Sequence, residues 1–176
     1  MIGRMRLLTR SLGVLCGLAF ALRVSGAPDL TRERLVGVWH LSRIDYSGPH
    51  GETVDPFYQA GSVGMLIYTD SGWMSVQITA PHRRAFEVPA DRLTSRTGDA
   101  ALEVAAFRTY YAYAGTWSLD TASGVLTHHV VSSLLPAEVG MTYTQQVTLE
   151  GDRLIFTNRG KGTVRRKIWE RGGPAS

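Results

Sequence analysis

Between residues 35 and 170 the chain is written as short runs in which apolar and polar residues alternate, each run ended by Gly, Asp, Asn or Pro. Alternation with a period of two sends successive side chains to opposite faces of an extended strand. Turn residues recurring at such short intervals are the mark of an antiparallel all-β chain. The runs fall at 35–46, 63–69, 73–79, 113–119, 125–132, 141–149, 154–158 and 163–170. Eight strands are the number that closes a barrel with an interior just wide enough for side chains or for one small ligand.

The second and third runs flank Asp70-Ser71-Gly72, which suits a three-residue hairpin with glycine in the left-handed position. Pairing Thr69 with Trp73 then places Leu66, Tyr68, Met74, Val76 and Ile78 on one face, the core side, and Ser75 and Gln77 on the other. The strand pattern breaks at GDAALEVAAFRTYY, where Ala100, Val104, Phe107 and Tyr111 follow helical spacing and Asp99 is placed to cap the first turn. The expected fold is an eight-stranded antiparallel barrel with one helix inserted between the third and fourth strands.

The first 26 residues stand apart from this pattern. Arg4, Arg6 and Arg10 precede an apolar run from Leu12 to Leu22, and Val24 and Gly26 are small enough for the recognition positions of a signal peptidase. We expect cleavage before Ala27, an exported protein, secreted or periplasmic, and a single domain over residues 27–176. Removing the leader takes away Arg4, Arg6, Arg10 and Arg23 and turns 19 basic against 15 acidic residues into 15 against 15. A near-neutral domain offers no electrostatic case for nucleic acid or an anionic membrane as partner. Cys16, the one cysteine, lies in the leader, which excludes disulfides, thiol nucleophiles and thiolate-bound zinc from the domain. Stability must come from one apolar core.

Several stretches match a known pattern. GVWHL near the start of the domain, VGMLIYTDSGWMSVQ, AYAGTW, THHV, the proline-to-glycine stretch PAEVG and the late EGDRL occur in one order between about Leu35 and Leu154. Together they resemble the bacterial and fungal lipocalin-like domain family. The resemblance implies a small calyx-type barrel more firmly than it implies a function. One departure stands out: where that family usually carries an arginine in the sixth strand, this chain has Gln145, so a role for that arginine toward an anionic ligand does not carry over.

Strand parity selects the candidate site. Tyr113 and Trp117 share one face of the fourth strand, Leu126, His128 and Val130 one face of the fifth, and Tyr143, Gln145, Val147 and Leu149 one face of the sixth. With the apolar members defining the interior, Tyr68, Met74, Tyr113, Trp117, His128 and Gln145 point inward, and polar tips on an apolar wall are what orients a bound molecule. The same tips would instead bond one another in a filled core, since buried polar groups find partners. His129 faces away from His128, and His40, His50 and His82 are scattered, so no metal site is expected; nor is a cofactor. Trp39 is expected to plug the closed end, with a late basic residue such as Arg166 stacked on it. The run Arg165-Arg166-Lys167 reads as a solvated edge.

These features favour an exported barrel that binds an apolar small molecule, a lipid, isoprenoid or polyketide-like compound. Two other readings use the same residues. In one the cavity belongs to a cofactor-independent isomerase, cyclase or dehydratase with His128 and Tyr113 as base and acid. In the other the barrel is filled and serves a structural or partner-binding role.

Overall fold

In the computed structural model, residues 30–55, 57–85 and 99–173 are described; the expected leader and the cleavage expected before Ala27 lie outside them. A four-residue helical turn, α1 (Arg32–Leu35), precedes strand β1 (Gly37–Gly48), the short β2 (Gly51–Val54), β3 (Val63–Tyr68) and β4 (Trp73–Thr79). Helix α2 (Ala100–Arg108) follows, then β5 (Tyr110–Asp120), β6 (Val125–Ser133), a 3-10 turn (Pro136–Glu138), β7 (Thr142–Glu150), β8 (Arg153–Gly160) and β9 (Thr163–Arg171). All strand pairs are antiparallel, in the order β1-β3-β4-β5-β6-β7-β8-β9, and β9 pairs back onto β1 from Trp39↔Arg171 to Ser47↔Val164. The ring is therefore a closed eight-stranded barrel, the architecture expected of eight alternating runs.

The ninth strand is the departure. β2 pairs only with the far end of β1, Asp45↔Val54 to Gly48↔Gly51, and forms an arm outside the ring. All four of its residues are exposed, so no apolar alternation marks it in the sequence. It also corrects the expected place of the helix, which lies between β4 and β5 instead of between a third and a fourth strand. Asp99 does cap that helix, accepting from Ala101 N at 2.9 Å and Leu102 N at 3.2 Å. The helix ends at Arg108, and Tyr111 belongs to β5.

The hairpin register is the expected one. Tyr68 pairs with Met74, Gly72 takes a φ of +89°, and Leu66, Tyr68, Met74, Val76 and Ile78 are all buried. At the closed end Leu30, Leu35, Trp39, Trp117, Leu126, Leu154 and Trp169 fill the interior. Trp39 is fully buried and donates its indole N–H to the Leu35 carbonyl at 2.9 Å, which ties the barrel to α1. The cation over the Trp39 ring is Arg171, 4.2 Å from its centroid, and not Arg166, whose guanidinium reaches Glu52 at 3.7 Å instead. Arg171 comes from the last turn of register, where it faces Trp39 directly, and it also donates to the Val36 and Arg34 carbonyls.

One glycine sets how closely two strands meet. Between Gly115↔Val130 and Ala114↔Ser132 the register of β5 and β6 shifts by a bulge, and a Cβ on Gly115 would stand 1.9 Å from the His129 carbonyl oxygen. A methyl there must part the strands that carry Tyr113 and His128. Gly115→Ala is expected to lower unfolding stability by about 1–3 kcal/mol or more, read from urea midpoints; an unchanged midpoint would show that the strands separate without cost.

Candidate functional site

Halfway up the barrel, three strands place polar tips at one point. His128 on β6 is 1% exposed, and its Nδ1 lies 2.7 Å from the Tyr113 hydroxyl on β5 while its Nε2 lies 2.7 Å from the Tyr68 hydroxyl on β3. Both ring nitrogens are thus engaged. Burial, reinforced by the positive charge of Lys167, pushes the imidazole down to about 3, so it is neutral at ordinary pH. A neutral imidazole donates from one nitrogen and accepts at the other.

The surroundings decide which. Tyr68 is 1% exposed, and its hydroxyl has no partner among the described residues except His128. If Nε2 carried the proton, the Tyr68 hydroxyl hydrogen would point into an apolar core with nothing to accept it, at a cost of about 1–3 kcal/mol. The satisfied arrangement has Tyr68 donating to Nε2 and Nδ1–H donating to the Tyr113 oxygen. The Tyr113 hydroxyl hydrogen is then left to point elsewhere. Burial raises both tyrosines well above their ordinary range, so each keeps its phenolic proton.

Tyr113 borders a cavity of about 270 Å³ at the end of the barrel away from Trp39, lined also by Tyr111, Tyr143, Thr144, Gln145, Asn158 and Lys167. Most of these alternate with outward residues on β5, β7, β8 and β9. Of the six residues that strand parity points inward, two, Tyr113 and Gln145, line this cavity. Tyr68, Met74, Trp117 and His128 are buried beneath it and do not. Tyr68 packs on Trp117 at a ring separation of 4.6 Å, and Trp117 donates to the Thr69 carbonyl while Arg32 covers its ring at 4.3 Å. Parity reports the face of a strand correctly but says nothing of height along the barrel, which is what separates the two groups.

Lys167 corrects the reading of the basic run. It pairs with Phe156 on β8 and Ile44 on β1, both buried, so its side chain enters the barrel. Arg165 shares that face and holds the buried Asp55 at 2.7 Å, while Arg166 between them faces out. The signal was Trp169, two positions on, whose burial fixes the parity of Lys167. Glu138 was not foreseen either: the PAEVG turn brings it to the rim, where it accepts from the Tyr111 hydroxyl at 3.1 Å and from Ser133 Oγ at 2.6 Å. His129 lies on the outer side, near Thr142 Oγ1 at 3.3 Å, and the described residues assemble no group of three or more His, Cys, Asp or Glu suited to a metal ion.

The neutral His128 makes stability depend on pH. Its folded value is depressed, so between about 3 and the ordinary 6.5 the unfolded chain binds a proton that the native chain does not. Stability is therefore complete above about pH 6.5 and declines as the pH falls, by roughly 1 kcal/mol for each pH unit. Urea unfolding between about pH 6.5 and 5, where carboxylates contribute least, should show this decline in the wild type and lose it in His128→Gln. Equal slopes in the two proteins would contradict a neutral buried imidazole.

No curated protein matches the chain. Among solved structures it is similar to crystal structures of the fluorescent protein UnaG. The wild-type structure shares 15% identity over 81% of this chain and 100% of its own, with a TM-score of 0.36. A single-residue mutant of that protein gives 15% over 80% and 98%, with the same score. The family model described as "Lipocalin-like domain" matches residues 36–171, a span that runs from the last residue before β1 to the last residue of β9. The chain belongs to the lipocalin-like domain family.

Proposed function

We propose that this protein is an exported binder of a small amphipathic molecule, held at the open end of the barrel with its polar end against Tyr113 and Gln145. The observation that carries the reading is the cavity of about 270 Å³ above a packed floor, bordered by Tyr113, whose hydroxyl oxygen lies 2.7 Å from His128 Nδ1 and whose hydroxyl hydrogen is free to donate into the cavity when Nδ1–H donates to it. Its size is close to the lower limit of roughly 300–1,000 Å³ for small-molecule pockets, which suits a compound of one or two rings. An apolar body gains from burial against the tyrosine rings, about 25 cal/mol per Å² removed from water. The polar lining narrows the expectation from a wholly apolar lipid to a ligand with a polar head.

Catalysis by the same residues has less support. A general base must offer a lone pair within reach of the substrate, whereas both nitrogens of His128 are occupied and Tyr113 stands between it and the cavity. Native mass spectrometry of protein purified from its own host tests the binding reading, with a retained small molecule as the expected result. Tyr113→Phe should then weaken retention by about 0.5–1.5 kcal/mol, one hydrogen bond, and leave the compound chemically unchanged. Conversion of the compound by the wild type would favour the enzyme instead.

Export is supported by the arginines and apolar run of the leader and by the absence of cysteine after Cys16. N-terminal sequencing of the processed protein is expected to begin at Ala27 or within a few residues of it. An intact Met1 on protein from the cytosol would count against export.

A further inference from the structure

Neither packing nor the hydrogen-bonded chain on His128 accounts for Lys167. It lies across from Ile44 on β1 and Phe156 on β8, and it lines the cavity. Burial pushes the ammonium down to about 8, with the neighbouring Arg165 adding to the push. Asp55, the carboxylate that opposes this, is already held by Arg165 at 2.7 Å. Among the described residues no hydrogen bond or ion pair reaches Lys167.

A second group is left open beside it. Gln145, 7% exposed, lines the same cavity, and its side-chain oxygen is buried without a hydrogen-bond partner among the described residues. A half-buried cation without a counter-ion and a buried acceptor without a donor are each costly. Together they describe what would relieve them: an anionic oxygen for the one, an O–H or N–H for the other. Three tyrosines form the aromatic part of the remaining wall, beside Thr144 and Asn158, with Tyr111 and Tyr143 set edge-on to Tyr113 at ring separations of 5.7 and 5.8 Å, a setting that favours a flat ring.

We propose that the cavity takes a small aromatic hydroxy acid, its acidic oxygen paired with Lys167 and with the Tyr113 hydroxyl, its own hydroxyl donated to Gln145. The proposal rests on the reading of the barrel as a small-molecule binder and names the class of ligand. Lys167 is the counter-ion and Gln145 selects for the hydroxyl.

Calorimetric titration of the purified protein with 3-hydroxybenzoate, whose hydroxyl is too far from its carboxylate to bond to it, benzoate and the neutral 3-hydroxybenzamide tests it. 3-Hydroxybenzoate should bind the wild type tightest of the three. Lys167→Met should weaken that binding roughly tenfold or more, the worth of a charged hydrogen bond, and leave 3-hydroxybenzamide unaffected, while Lys167→Arg retains most of it. Gln145→Leu should bring 3-hydroxybenzoate down to the affinity of benzoate. Lys167→Met should unfold at an equal or higher temperature, since it removes an unpaired charge from the interior, so loss of binding is not loss of fold.

Wild-type affinity for 3-hydroxybenzoate should also fall as the pH rises through about 8, while Lys167→Arg stays flat. The charged and titratable groups around Lys167 are Arg165, Asp55 and His128, with Tyr111, Tyr113 and Tyr143 lining the same cavity. Burial holds His128 far below this range and the three tyrosines above it. Equal wild-type affinity for the acid and the amide, unimpaired binding by Lys167→Met, or an affinity that does not fall through that range would overturn the anionic ligand and leave a small-molecule binder in place. Binding of none of the three probes would overturn the aromatic acid, and only a further absence of any retained compound in native mass spectrometry would also remove the binder reading of this cavity.

Discussion

An imidazole buried inside an apolar barrel must have both nitrogens satisfied, and meeting that requirement organises the interior of this protein. Tyr68 reaches His128 from β3 and Tyr113 reaches it from β5, each at 2.7 Å. Because β3 and β6 are separated in the ring by β4 and β5, the bond to Tyr68 crosses the interior and ties opposite parts of the wall together. Below this crossing the barrel is packed; above it lies the cavity. The three-residue chain is thus the floor of the site, and the direction in which Tyr113 can donate follows from the need of Tyr68 to donate first.

The distribution of large side chains by height follows from the same division. Trp39, Trp117 and Trp169 are each buried, and Trp169 packs on Phe156 at a ring separation of 6.2 Å. Arg171 and Arg32 lie over the first two of these rings at 4.2 and 4.3 Å and keep their charged ends among carbonyls and solvent. A filled core and a ligand pocket are therefore not rival descriptions of this barrel. Each applies to one part of its length, because a barrel of eight strands has room for rings side by side but not for rings and a ligand at the same level.

Charge inside the open end is distributed on one wall. Arg165 and Lys167 alternate into the barrel from β9; the first is matched by Asp55 and the second is not. Gln145 on β7 holds the place where a resembling chain would carry arginine, so the inward positive charge of this cavity comes from a different strand. Glu138 is engaged by Tyr111 and Ser133 at the rim. Each of these groups is placed by a neighbour whose burial sets its parity, Trp169 for Lys167 and Val147 for Gln145.

Much of this was legible in the residues. The eight runs, the Asp70-Ser71-Gly72 hairpin, the Asp99 cap and the inward faces of Tyr68, Tyr113, Trp117, His128 and Gln145 follow from local rules: alternation, turn chemistry and capping act within a few residues of one another. β2 was not legible because its four exposed residues carry no alternation. The partner of Trp39 was misplaced from Arg171 to Arg166, because which residue of β9 meets β1 is set by the register at ring closure, a contact between the two ends of the domain. Sequence by itself determined that the chain is a β-barrel and which face each strand turns inward, since both follow from a period of two. Only the tertiary structure decided how high each inward residue sits, and so which of them form the floor and which line the cavity, because height depends on the stagger between strands that no single strand encodes.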